Sequence, residues 1–424
     1  MSAGERTPGV APELLVPAGG PQTLKVAVHY GADAVYLGGR SFGLRAKADN
    51  FSDSEIEEAI RFCHARGVRV YVTVNIFAHQ RDLEGLHGYL QQLREWRPDG
   101  LIIADPGVFL MAKELCPQIP LHISTQANNT NSETCRFWAG QGASRIVTAR
   151  ELSLEEIRAI RSSVPEIEIE SFVHGAMCIS YSGRCLLSNV LNGRDANQGS
   201  CTHPCRWKYA LAEESRPGEY FPVEEDERGS YIFNSKDLCM IEHIPDLIAA
   251  GIDSFKIEGR MKTALYVATV TRAYRMAIDW ALADPETYLS RLDWLRKEVG
   301  SNTNRQFTTG FYYGRPTAED QIYGTSTYVT DRVYIGTVES IDDRGRIVIG
   351  QKNKFAVGDI LELVKPDGNT PRFLVRGISN AEGQEMPDAP HAKEELHLDL
   401  VPEDSKEECN MPQEGDVLRA ASSR

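Results

Sequence analysis

Five of the chain's nine cysteines fall in one stretch: Cys178, Cys185, Cys201, Cys205 and Cys239. Thiols in that density point to metal or redox chemistry, and three readings compete. A structural zinc site usually shows paired C-x2-C spacing, and the stretch has none. Inert buried thiols are common singly, which leaves five together hard to explain. An iron–sulfur cluster needs thiolates wrapped around a bulky anionic core, and irregular spacing on a Gly-rich segment suits it. Gly175, Gly183, Gly193 and Gly199 let the backbone there turn tightly around a bound group. Arg184, Arg194 and Arg206 offer charge to offset such a core. Cys239 precedes an apolar run, 240–250, read as a helix whose N-terminus favours thiolate. Cys63, Cys116, Cys135 and Cys409 are scattered and read as core or surface thiols.

Other side chains add candidates. Glu170, His174 and Glu258 can move protons, though each reads equally well as a hydrogen-bond partner of some other group. Arg45, Arg150, Lys256 and Arg260 are cations suited to a small dicarboxylate. Singly, each also reads as a solvated or ion-paired residue. A cysteine nucleophile needs a base, and His174 and His203 lie near cysteines in sequence. Nearness along the chain does not make a dyad, and no H-E-x-x-H or G-x-S-x-G motif occurs. Arg206-Trp207-Lys208-Tyr209 interleaves cations with aromatics, as RNA-binding segments do. A packed loop explains those four residues as well.

The elements that must position these groups come from periodicity. Short β-branched runs at 14–16, 34–37, 68–74, 101–103, 121–123, 145–147, 167–173 and 254–257 alternate with helical patterns. Ser52 with Glu55 is a capping box opening one helix. The count and even spacing predict an α/β fold, a (β/α)8 TIM-like barrel over 13–301. The alternative is a doubly wound open sheet. In a barrel, function gathers at the C-terminal strand ends. Asn75, Asp105, Gln126, Asn128, Arg150, Glu151, His174, Glu258 and Arg260 stand there. The cysteine-rich insertion, 174–250, joins strands seven and eight and so lies over the same mouth. Residues 1–12 are expected to be disordered and 302–327 to be a linker. Short strands at 333–338, 346–350, 360–364, 373–378, 396–400 and 417–418 predict a small C-terminal β-barrel over 328–424.

Composition narrows the class. With 424 residues there is room for two or three domains. A net charge of −14 argues against broad nonspecific nucleic-acid binding and leaves room for a local basic groove. No apolar run reaches ~18 residues and the N-terminus lacks an apolar signal core, so a cytoplasmic protein is expected. Clustered cysteines in that compartment are metal or redox sites rather than disulfides.

Residues 170–188, ESFVHGAMCISYSGRCLLS, resemble the signature of the collagenase-like peptidase family, U32, without departure. The resemblance extends through LLVPAGG, GADAVYLGG, STQANNTN, ARELSL, QGSCTHPCRWKY, RPGEY, NSKDLC and KIEGRMK. Within the family the chain is most similar to the tRNA-hydroxylating branch, which pairs a barrel with a C-terminal β-domain. That resemblance implies oxygen-independent hydroxylation of a wobble uridine to 5-hydroxyuridine. It implies the anticodon region of tRNA as partner and prephenate as supporting metabolite. It also implies a [4Fe-4S] cluster on Cys178, Cys185, Cys201 and Cys239, with Cys205 as a reserve ligand, and so favours cluster over zinc. The family name keeps a peptidase as the alternative, beside hydroxylation of another RNA or a small molecule.

Overall fold

The computed structural model describes residues 11–44, 49–178, 180–181, 184–206, 210–212, 220–222, 235–316, 331–404 and 411–422. Eight parallel strands pair in sequence order: β1 (Glu13–Pro17), β2 (Ala34–Gly38), β3 (Arg69–Val74), β4 (Gly100–Ile103), β5 (Leu121–Ile123), β6 (Arg145–Val147), β7 (Glu168–Ala176) and β8 (Ser254–Ile257). β8 also bonds to β1, with Ser254 opposite Glu13 and Lys256 opposite Leu15. That closure makes a barrel and excludes the open sheet. Helices α1 (Pro21–His29), α2 (Asp53–His64), α3 (Leu83–Trp96), α4 (Pro106–Leu115), α5 (Ser132–Gln141), α6 (Leu154–Ser163), α7 (Ile244–Ala249) and α8 (Ala264–Ala283) surround it. All residues of β1 and β2 are buried, because helices cover the outside and side chains fill the inside. The capping box opens α2 as expected: Ser52 Oγ accepts from Glu55 N, and the Glu55 carboxylate accepts from Ser52 N.

The barrel interior carries a charge network. Arg145 Nη1 donates to Glu13 Oε1 at 2.6 Å and to Glu170 Oε2 at 3.0 Å, and Nη2 donates to Glu168 Oε2 at 2.7 Å. Lys256 Nζ donates to Glu170 Oε1 at 2.6 Å. Tyr71 and Ser254 hydroxyls donate to Glu13 at 2.7 and 2.8 Å. A buried charge survives only when paired and hydrogen-bonded, and these groups are.

β7 runs on past the barrel to Ala176. There it pairs antiparallel with a short strand, Asp237–Cys239, which sets Cys239 opposite His174. Phe307–Thr308 adds on the far side of that strand. Residues 302–316 are therefore packed onto the barrel, not a free linker. Tyr312 is buried, its hydroxyl donates to Phe172 O at 2.6 Å, and its carbonyl accepts from Leu154 N at 3.0 Å. The β7 edge buries Tyr312 and half-buries Phe307 and Phe311, while Tyr313 stays exposed. The rest of the expected linker, 317–327, and most of the expected disordered N-terminus lie outside the described residues.

Six antiparallel strands form the C-terminal unit: β9 (Arg332–Ile341), β10 (Ile347–Gly350), β11 (Ile360–Val364), β12 (Arg372–Asn380), β13 (Glu395–Pro402) and β14 (Val417–Ala421). Their order is β11-β14-β9-β10-β13-β12, and β12 returns to β11, so this sheet also closes. Most of its apolar core is a cluster of its own, while Tyr334, Val364 and Val417 pack into the core of the large barrel. The two units also meet through buried polar contacts. Tyr30 OH donates to Val364 O at 2.6 Å, and the fully buried Arg272 donates to Lys365 O at 2.8 Å while pairing with Glu298 at 2.7 Å. Among the described residues no helix is long and apolar enough to cross a membrane.

Candidate functional site

His174 stands near the end of β7 in an aromatic cage. Its Nδ1 lies 3.3 Å from Tyr274 OH, and the rings of Tyr266, Tyr274 and Phe307 lie 5.9, 5.5 and 5.6 Å away. Burial, helped by the Lys262 charge, pulls its pKa down to about 3, so the imidazole is neutral at physiological pH. An unfolded histidine titrates near 6.5. Between those values the unfolded chain binds the extra proton, so stability falls as pH drops through that window. For this one group the slope is at most about 1.4 kcal/mol per pH unit. His174→Gln should flatten that limb of the urea-midpoint-versus-pH curve, and parallel curves for both proteins would refute the assignment.

Cys239 shares the cage. Its Sγ lies 4.0 Å from Tyr274 OH, and burial pushes the thiol up to about 12. This corrects the expected helix-end thiolate: the helix starts only at Ile244, and Cys239 sits on a strand facing apolar neighbours. Cys178 is exposed just past β7, while Cys185, Cys201 and Cys205 are half-buried on the insertion. His203 N donates to Cys201 Sγ at 3.4 Å. The donor set suits a cluster in number and chemistry. Its geometry is not gathered: among the described residues, no three of His, Cys, Asp and Glu converge as metal ligands. Register shows part of the reason. Cys239 lies opposite His174, and Cys178 is four residues farther on, about 13 Å along extended chain.

The expected proton carriers separate. Glu258 N donates to His174 O at 2.8 Å, and Tyr36 OH lies 3.5 Å from Glu258 Oε2, so Glu258 belongs to the mouth. Glu170 does not. It is fully buried inside the barrel; burial pushes its carboxyl up, but Lys256 and Arg145 outweigh that and hold it below the usual range. A doubly paired carboxylate at that depth is part of the scaffold.

The expected cations also separate. Lys256 is turned into Glu170, with Nζ 4.5 Å from the Tyr36 ring centroid, and does not face the mouth. Arg260 is buried and ties the loop after β2 to β3, donating to Leu44 O at 2.9 Å, to Thr73 Oγ1 at 3.3 Å and to Asn50 Oδ1. Arg150 fits best: it is half-buried at the rim and stacks 4.3 Å over Phe172. Its Nη1 donates to Ala176 O at 2.6 Å, and its Nε has no partner. Arg45 and residues 207–209 lie outside the described residues. Asp105 caps α4, accepting from Gly107 N and Val108 N. The tyrosines around His174 were missed in the sequence; the signal is Tyr266 and Tyr274, eight residues apart on one face of α8.

The family model for peptidase family U32 matches residues 19–322, and that for its C-terminal domain matches 330–411. The chain belongs to peptidase family U32. This U32 chain is 42% identical over 389 residues to tRNA hydroxylation protein P1 of Bacillus subtilis, covering 92% of each chain. It is 39% identical to tRNA hydroxylation protein P of Escherichia coli, over 89% of this chain and 91% of that one. The Escherichia coli 23S rRNA 5-hydroxycytidine C2501 synthase is 38% identical over 63% of this chain and 39% of its own. The family's peptidase name finds little support in the cage. A cysteine nucleophile works as a thiolate beside an imidazolium, whereas here the Cys239 thiol is pushed up and His174 down.

Proposed function

We propose that this chain is an RNA-modifying hydroxylase that converts the wobble uridine of tRNA to 5-hydroxyuridine without molecular oxygen. The observation that carries the reading is 42% identity across 92% of both chains with a tRNA hydroxylation protein. The relative that makes 5-hydroxycytidine adds support for chemistry at a pyrimidine carbon 5. Replacing C5–H by C5–OH is a two-electron oxidation. A [4Fe-4S] cluster held by Cys178, Cys185, Cys201 and Cys239 would, when bound, relay those two electrons to an external two-electron acceptor. Prephenate is the co-substrate of this reading, and Arg150, half-buried beside Phe172, is the cation that would meet its carboxylate. Glu258 is the proton acceptor at the mouth, with neutral His174 behind it. The tRNA anticodon region is the macromolecular partner.

Nucleoside mass spectrometry of tRNA from a strain lacking the gene tests this. The 5-hydroxyuridine-derived nucleosides should disappear and return with the wild-type gene. Unchanged nucleosides in that strain would sink the proposal, and purified protein that cleaves gelatin would revive the peptidase reading.

A further inference from the structure

Three contacts bring the cysteine-bearing segment back onto the barrel far from where it leaves. It leaves from the end of β7. In the closed ring of eight strands, β3 stands opposite β7, four steps away in either direction. Yet Phe77 N, just past the end of β3, donates to Asn197 O at 3.4 Å. Arg184 adds two contacts. Its guanidinium carbon lies 5.6 Å from the Phe77 ring centroid, and its Nε donates to Asn128 Oδ1 at 2.8 Å. Asn128 follows β5, which stands midway between β3 and β7. Phe77 and Asn128 both lie past the C-terminal ends of their strands, which is the mouth. The segment therefore crosses the mouth instead of hanging beside β7. Arg184, expected from the sequence to offset the charge of a bound core, is engaged in that crossing.

The segment also holds itself together. Ser188, fully buried in the short helix Leu187–Asn192, accepts from Thr202 N at 3.1 Å and bonds Thr202 Oγ1 at 3.0 Å. Asn192 Nδ2 donates to the same hydroxyl at 2.9 Å. Ser188 comes shortly after Cys185, and Thr202 directly follows Cys201. The arms that bear these two thiols are thus tied to each other, and Arg184 and Asn197 tie them to the far rim.

We propose that residues 184–206 form a lid over the barrel mouth, and that Arg184, with Asn128 as its acceptor, is the positioning residue that latches the lid and with it Cys185 and Cys201. A lid in that place admits substrate when open and shields the strand ends when closed. Its consequence for catalysis rests on the hydroxylase reading above; the latch itself does not.

The test is amide hydrogen exchange on the full-length, anaerobically purified protein. Arg184→Ala removes the donor. Asn128→Gly removes the acceptor and keeps a residue at ease with the φ of 56° found there. Either change should speed exchange of the peptide containing Phe77, and of peptides within 184–206, by at least about threefold. Both changes together should do no more than either alone, because they break one bond. Arg184→Lys, which can still donate to Asn128, should stay near wild type. In a complemented deletion strain, Arg184→Ala should lower 5-hydroxyuridine-derived nucleosides by at least about tenfold, and the purified variant should hold less iron than Arg184→Lys. Unchanged exchange at Phe77 in both single variants overturns the latch. Faster exchange with wild-type nucleoside levels overturns the positioning role and leaves the hydroxylase reading standing. Nucleosides unchanged in the deletion strain itself overturn the hydroxylase reading, while the exchange result still decides the latch.

Discussion

Arg145→Met should destabilise the fold by about 3–5 kcal/mol, far more than a surface ion pair is worth. Arg145 sits inside the barrel, 2% exposed, and is the cation shared by Glu13, Glu168 and Glu170. Its loss leaves Glu170 with Lys256 alone and removes the partner of Glu13 that lies inside the ring; Arg69, half-exposed, remains at 2.5 Å. The cost comes from stranding carboxylates in a medium that solvates them poorly. Replacing Arg145, Glu13, Glu170 and Lys256 together by neutral residues of similar size should recover part of the loss, because no buried charge of the network is then left unpaired. Urea midpoints at neutral pH measure both. A loss below about 1 kcal/mol for the single variant would mean that water reaches the network and screens it.

Cys178→Ala or Cys201→Ala should abolish tRNA hydroxylation in a complemented deletion strain. Anaerobically purified wild-type protein should be brown with about four irons per chain, and each variant should hold less than about one. Cys239→Ala should behave likewise, although its thiol is half-buried beside Tyr274; Cys205→Ala should retain iron. The prediction is severe because a cubane cluster that loses a thiolate rarely stays assembled, whereas an inert thiol tolerates Ala with a modest packing cost. Wild-type hydroxylation by both Cys178→Ala and Cys201→Ala would remove the cluster from the mechanism.

Both predictions concern groups whose neighbours are remote in sequence, and that divides what could be read early from what could not. Alternating apolar runs and helical patterns located all eight barrel strands, and the Ser52–Glu55 cap opened α2 where expected. The six strands of the second barrel also fell on their expected positions. These features depend on residues a few positions apart, where backbone geometry and local burial act. The same logic placed the cysteine-bearing segment between β7 and β8 in chain order.

Charge partners were not legible. Glu170 was read as a proton carrier and Lys256 and Arg260 as cations for a dicarboxylate, and all three are held by internal partners. Arg145 and Glu13 were not singled out, though they are 132 residues apart and bonded. A strand alternates its side chains between inside and outside, but it carries no record of which distant strand will face it. The packing of 302–316, the pairing of Cys239 with His174 and the Arg184–Asn128 contact at the mouth have the same origin. The sequence by itself determined the order of elements and the supply of thiols, because short-range periodicity and composition are properties of the chain. Ring closure and the docking of the two barrels decided which charges face each other and which remain at the mouth, because low-dielectric burial selects partners only after the chain has been brought together.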